Sequence, residues 1–451
     1  MKEQAPFKPT VFISYARGED KYCSSFAELF CQGLEKTGLQ TKLDVRDISY
    51  ADPWQDVVKN TIDNPKSICL TFLSPQYVFS KSTIYEKDLA ENIFHALGKP
   101  IIPILLKEFR DYRDFIGHHV AADFRDLFDE YCRKKGKNLS DHWRKCFEDE
   151  INKVAKSIET QFNNYYNNLN VFRIDNPNNP FLEKSKTIYE LYPKDYSEPH
   201  GKIVRWLYET YKNNPRDYFN EEIYIIASYR GEIIGVIYAT LYTNILAYPS
   251  YCHINMMATD PKFEYSEISS PLSEKHPIVP AEALLSKLKK VVEQYDSACD
   301  RYIFELPDPK KSDNPKTVEG CWKSWLTIRP DYEDFKLMKC TNIVFRLPNQ
   351  DWTNYFSPED AEGETEDAVL LFLIKPGMRQ VINKKKMNEH LKFIYMVYYG
   401  ECYYHPYSLK PWVDYLTKLY DEVIRSIKDT KFYLEEIHDS ENIFKTKTRK
   451  K

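Results

Sequence analysis

The sequence predicts an α/β unit built on a parallel sheet, followed by an α+β unit with extra helices at its carboxyl-terminal end. Three observations carry this. Within residues 1–160, wholly apolar runs alternate with amphipathic helical segments, and strands without a polar face belong to parallel sheets covered on both sides. Beyond residue 180, longer strands are joined first by a tight hairpin and then by a helix, a mixed-sheet pattern. The chain has 451 residues, which at roughly 100–200 residues per domain allows two to four separate cores. The expected division is 1–160, a linker at 161–180, a second domain at 181–350, and a carboxyl-terminal part of that same region at 351–451.

Taken in order, Thr10-Val11-Phe12-Ile13-Ser14-Tyr15 is a buried strand that breaks at Arg17-Gly18-Glu19-Asp20. Phe26, Leu29, Phe30 and Leu34 recur at helical spacing, with Gly38 beyond the end of their helix. A second strand at 40–44 leads into a polar loop, a helix at 54–63 and a strand at 67–73. Ser74-Pro75 turns the chain into a helix that ends near Gly98, and 101–106 is the next strand. Trp143, Phe147, Ile151, Val154 and Ile158 repeat every three or four residues, which suits a closing helix. The Asn-rich stretches NNYYNNLN and DNPNNP then read as a linker. In the second region a helical segment at 203–212 precedes a hairpin, 223–228 and 233–241, turning at Arg230-Gly231. A strand at 253–258, a helix at 281–295 and a strand at 301–306 follow. The remainder supplies strands near 341–347 and 368–374 and helices near 378–398 and 411–428. Tyr398, Tyr399, Tyr403, Tyr404, His405 and Tyr407 cluster there, and aromatic clusters are most often core or interface.

Composition narrows the function classes. Basic and acidic residues number 63 and 67, a net charge of −4, which weighs against a nucleic-acid partner because phosphate binding needs a concentrated basic face. The basic tail Lys445, Lys447, Arg449, Lys450 and Lys451 reads as a solvated terminus. Ten cysteines are scattered without a CxxC pair, the usage of a reducing compartment. The opening MKEQAPFKP lacks the apolar stretch of a signal peptide, and the most apolar windows, 101–106 and 368–374, are too short to span a bilayer. A cytoplasmic protein without a membrane partner is expected. Only 13 glycines are present, well under the usual ~7%, which disfavours chemistry that needs several close backbone approaches to phosphate. No Ser-His-Asp arrangement, P-loop or paired metal-ligand spacing is found, so no metal is expected.

FISYARGED at 12–20, LDVRDISYADPW at 43–54, LTFLSPQYVFS at 70–80 and GKPIIPILL at 98–106 resemble the successive motifs of a TIR domain, in order and spacing. The resemblance covers residues 8–160 and implies a flavodoxin-like doubly wound sheet. It also implies one of two roles, since some TIR domains cleave NAD+ at the nicotinamide glycosidic bond and others only assemble. The enzymes carry a glutamate on the helix after the SPxY turn, in a W-x-x-x-E arrangement. Counting forward from Ser74-Pro75 places it at Glu86, with Ser82 in the tryptophan's position; counting back from Gly98-Lys99-Pro100 lands on Ala90. The counts differ by about one helical turn, so an added turn reconciles them. Without it, Glu91 or Asp88 takes the role, or the site lacks its carboxylate.

A carboxylate suits this chemistry. Breaking the bond from a ribose anomeric carbon to a cationic nicotinamide develops positive charge on the sugar, which an anionic oxygen stabilises. Nicotinamide leaves as a neutral molecule, so no general acid is required. The resemblance further implies NAD+ as substrate rather than cofactor, and a substrate site formed by Phe12, Ser14, Tyr15 and Arg17 at the first strand with Asp44 and Trp54 of the following loop. Self-association through this domain is implied as well.

The second region, with IIASYRGEIIGVIYATLY, INMMATDPKF, a helix and YIFELP, is similar to the GNAT acetyltransferases. That family holds the pyrophosphate of acetyl-CoA on backbone amides of a glycine-rich loop at a helix start. Here residues 262–285 contain no glycine and three prolines, Pro271, Pro277 and Pro280. The expectation is therefore a GNAT-like module that senses an activating ligand or protein, fused to an NAD+ nucleosidase in a defence-type effector, anti-phage or stress-related. A non-catalytic TIR scaffold is the alternative, and an acetyltransferase with a TIR interaction domain is the third reading.

Overall fold

A computed structural model describes residues 8–16, 21–43, 54–110, 121–175, 179–189, 220–243, 250–308, 315–329, 331–341, 343, 345–347, 366–377, 381–398, 409–428 and 431–437. The chain divides into two compact units, residues 1–172 with 228–232 and residues 173–227 with 233–451.

The first unit runs β1 (Thr10–Ser14), α1 (Lys21–Lys36), β2 (Gln40–Leu43), α2 (Trp54–Asp63), β3 (Ser67–Leu73), α3 (Pro75–Phe79), α4 (Lys81–Leu97), β4 (Ile101–Leu105), β5 (Ala122–Asp123), α5 (Arg125–Arg133) and α6 (Asp141–Asn167). Its five strands are all parallel, in the order β2-β1-β3-β4-β5. This is the flavodoxin-like order. β1 has β2 on one side and β3 on the other, so connections leave in opposite directions and open a crevice at the carboxyl ends of β1 and β3. On one face, Val11, Ile13, Tyr15, Leu70 and Phe72 pack with Phe26, Phe30, Phe147 and Ile151 from α1 and α6. The other face carries Phe12 and Ser14, register partners of Cys69 and Thr71, because alternate strand residues point to opposite sides.

The Asn-rich segment differs from its expectation. α6 continues to Asn167, because Phe162 and Tyr165 extend the apolar stripe of Ile151, Val154 and Ile158 and are buried with it. Residues 170–174, expected as linker, are a strand.

That strand, β6 (Asn170–Ile174), opens the second group: α7 (Pro180–Lys184), α8 (Lys186–Tyr189), β7 (Asn220–Tyr229), β8 (Glu232–Tyr242), β9 (Tyr251–Thr259), β10 (Ile268–Ser270), β11 (Ser273–Ile278), α9 (Pro280–Tyr295), β12 (Tyr302–Pro307), α10 (Pro315–Lys323), β13 (Lys336–Cys340), β14 (Phe345–Leu347), β15 (Glu366–Ile374), β16 (Val381–Asn383), α11 (Lys384–Lys392), a π-helical stretch Phe393–Tyr398, α12 (Leu409–Ser426) and β17 (Lys431–Glu436). The sheet order is β16-β17-β13-β15-β12-β9-β8-β7-β6, with β14 beside β15. Arg230 and Gly231 take φ of 52° and 77° at the expected hairpin, the conformation of a type I′ turn. β9 and β12 pair in parallel only at Cys252–Tyr302 and His253–Ile303, while β12 pairs with β15 along all six of its residues. The glycine-free stretch 262–285 contains the β10–β11 hairpin and the start of α9, and the helix expected at 378–398 is divided into β16, α11 and the π-helical turns. The segments 203–212 and 399–407, with most of the tyrosine cluster and His405, lie outside the described residues. Among the described residues no helix is long and apolar enough to cross a membrane.

Candidate active site

Glu86 stands at the crevice between β1 and β3. α4 packs beside β1 and β4, and its buried stripe is Thr83, Glu86 and Ala90, spaced i, i+3, i+7 as a helix face requires. Both motif counts thus fall on one face. Glu86 is 3% exposed, and a carboxylate so far from water needs hydrogen-bond donors. Ser14 Oγ, at the carboxyl end of β1, donates to Glu86 Oε2, and Tyr77 Oη lies 2.8 Å from the same serine oxygen.

Local sequence explains how these side chains meet. Ser74 caps α3 by accepting from Tyr77 N at 3.3 Å, and Pro75 occupies the first turn, where a missing N–H is harmless. Thr83 Oγ1 donates to Tyr77 O at 2.5 Å and to Ser80 O at 3.0 Å. The Thr83 bonds thereby tie the five-residue α3 to the first turn of α4. Burial, then the nearby Cys69, raises the Tyr77 phenol well above its usual range, with Glu86 adding to the rise. Burial likewise raises the Cys69 thiol, helped by Glu86 and opposed by Lys99. Both groups stay neutral at physiological pH.

Of the other sequence-predicted residues, Phe12 is buried on the same strand face as Ser14. Tyr15 is turned to the opposite face and belongs to the core with Phe26 and Phe128. Glu91 is five positions beyond Glu86, about 140° around the helix, and pairs with Lys87 at 2.7 Å. Arg17 and Asp44 lie outside the described residues, and Trp54 begins α2 with its side chain outside the description. Tyr77, Thr83 and Cys69 join the site without having been singled out; the signal for Tyr77 was its place in Ser74-Pro75-Gln76-Tyr77.

A family model described as TIR domain matches residues 11–135. The TIR domains of the activated Roq1 resistosome, which directly recognises the pathogen effector XopQ, are 18% identical, covering 33% of this chain and 84% of theirs with a TM-score of 0.22. The TIR domain of a Toll-related receptor from Hydra magnipapillata is 22% identical, over 31% of this chain and 96% of its own, with a TM-score of 0.21. An acetyltransferase of the GNAT family from Streptococcus pneumoniae is 11% identical, over 46% of this chain and 99% of its own, with a TM-score of 0.25. Among curated proteins none matches this chain. From the family match, the strand order and the motifs at the crevice together, residues 11–135 of this chain are a TIR domain.

Proposed function

We propose that the TIR domain is an NAD+ glycohydrolase with Glu86 as its catalytic carboxylate, regulated by the second unit, which takes up an activating ligand or protein. The observation that carries the reading is a buried glutamate, Glu86, that accepts from the Ser14 hydroxyl at the crevice where open α/β sheets take ligands. There its negative charge faces little competition from water, and its stabilisation of an oxocarbenium-like sugar is correspondingly strong. Nicotinamide departs as a neutral molecule and water, or a nucleophile on the substrate, completes the reaction.

A regulatory rather than transferase role for the second unit is supported by the start of α9. Transferases of the GNAT type place pyrophosphate at the corresponding helix N-terminus. Here Pro280 removes an amide donor, and the carboxylate of Glu282 is already in place, accepting from Val279 N at 3.3 Å and Arg329 N at 2.9 Å. The Arg329 guanidinium adds bonds of 3.0 and 2.8 Å to the two carboxylate oxygens.

The test is incubation of the full chain with NAD+, at low and high protein concentration, followed by chromatography of the products. Nicotinamide with ADP-ribose or its cyclised form is expected, and Glu86→Gln is expected to lower the rate by about 10²-fold or more. NAD+ left intact by the concentrated protein, or a Glu86→Gln variant as active as the parent, would leave the scaffold role in its place.

A further inference from the structure

The hydrogen bonds that end at Glu86 have a direction, and proton counting assigns it. Ser14 Oγ donates to Glu86 Oε2, and that bond uses its one hydroxyl hydrogen. Ser14 Oγ then has only lone pairs to offer, and the Tyr77 hydroxyl at 2.8 Å must be the donor of that pair. We propose that Tyr77 and Ser14 are positioning residues for Glu86, a two-hydroxyl donor chain that keeps the carboxylate ionised and in one rotamer at the β1–β3 crevice. This rests on the NAD+-cleaving reading above.

Three elements contribute one member each: β1 gives Ser14, α3 gives Tyr77 and α4 gives Glu86, all buried. The Ser74 bond to its amide and the Thr83 bond to its carbonyl fix the Tyr77 backbone, and complete burial leaves its ring no room to swing away. Its phenol is kept protonated by burial and so remains a donor throughout the working pH range. In a site of low polarity, donation into Ser14 strengthens the bond that Ser14 makes to the carboxylate. Hydrogen bonds to the charged form also hold a carboxyl group's pKa down. Loss of the Tyr77 hydroxyl therefore weakens the last bond, loosens the rotamer and lets the carboxylate protonate at higher pH. Substrate binding has no direct part in this, so the effect belongs in kcat rather than KM.

The experiment measures nicotinamide release by the full chain as a function of pH for Tyr77→Phe, Ser14→Ala and Ser14→Thr. Tyr77→Phe keeps the buried ring and is expected to lower kcat about tenfold, with KM changed less than about twofold and the acid limb of the kcat profile moved up by about half to one pH unit. Ser14→Ala is expected to lower kcat about 10²-fold, and Ser14→Thr, which restores a hydroxyl, to recover most of it. A Tyr77→Phe kcat profile that superimposes on the parent's overturns the proposal. A second readout separates it from the reading beneath it. The Glu86 carboxylate stretch, isolated as the infrared difference between the parent and Glu86→Gln, is titrated without NAD+. In a protein that cleaves no NAD+ the enzymatic reading fails, yet a carboxylate midpoint raised by Tyr77→Phe still upholds the donor chain and an unchanged midpoint overturns it.

Discussion

An ammonium group that is almost wholly buried is tolerated only where its three N–H donors find acceptors. Lys99, 4% exposed, meets that condition with the carbonyl oxygens of Ile62 and Asn64, the latter at 2.6 Å, and with Ser67 Oγ at 2.8 Å. Those acceptors lie at the end of α2 and the start of β3, so the charge also sits at the negative pole of a helix. Lys99→Met keeps the aliphatic stem and removes the donors. The expected cost is about 2–4 kcal/mol, since hydrogen bonds to a charged group contribute roughly 1.5–3 kcal/mol each and the buried charge no longer has to be desolvated. Urea unfolding of the variant checks this, and an unchanged midpoint would contradict it. In the sequence, Gly98-Lys99-Pro100 is legible as a motif but its reason is not: the acceptors are 32 to 37 positions upstream. Glu86 and Ser14 are 72 positions apart, and no local spacing encodes that pairing. Only their shared place in an ordered motif series made each a candidate; Tyr15, named on the same resemblance, is turned to the core with Phe26 and Phe128.

At the scale of the element, the start of α9 is the clearest case of sequence logic completed by structure. The absence of glycine from 262–285 signals the lack of a phosphate cradle, and that much is legible. What fills the helix N-terminus instead, Glu282 with Arg329 from 47 residues further along, is a tertiary pairing that composition cannot reveal. Glu282 is wholly buried, and removing one partner of such a pair strands the other's charge. Arg329→Ala is therefore expected to destabilise the second unit by about 3–5 kcal/mol. Adding Glu282→Gln to it should restore part of that loss, because the stranded charge is gone. Denaturant melts of the single and double variants test the pair, and an equal loss in both would mean that packing, not charge, is responsible. Other elements were legible to different degrees. β1, β3 and β4 are continuous apolar runs whose type is plain from the sequence. α6 was read too short because its Asn content masks Phe162 and Tyr165, which continue the three- and four-residue spacing and are buried. The π-helical turns at Phe393–Tyr398 have no periodic signature that separates them from the α-helix before them.

Across the whole molecule, two compact units with separate cores account for the chain, as its length and the change from alternating to hairpin-rich pattern suggest. Separate cores can respond differently to acid, and a buried histidine makes the difference measurable. His390 of α11 is buried among Tyr251, Phe372 and Phe393, with Nδ1 3.0 Å from Tyr251 Oη. Burial, reinforced by the positive charges of Arg301 and Lys386, pushes its imidazole down to about 3. In the unfolded chain a histidine titrates near 6.5. Below that pH the unfolded state binds a proton that the folded state does not, so stability rises with pH across this window and is complete above about 6.5. On acidification it falls by up to about 1.4 kcal/mol per pH unit until the folded-state value is reached. Between pH 7.5 and 5.0 the second unit should thus lose about 2 kcal/mol from this group alone. His390→Phe preserves a ring in the core while abolishing the titration. It should be less stable than the parent at neutral pH, because the Tyr251–His390 hydrogen bond is lost, yet lose correspondingly less on acidification. Urea melts of both proteins at pH 7.5, 6.0 and 5.0 give the slopes. Parallel slopes would assign the acid sensitivity to another group, while a flatter slope in the variant places it at His390 in the carboxyl-terminal core.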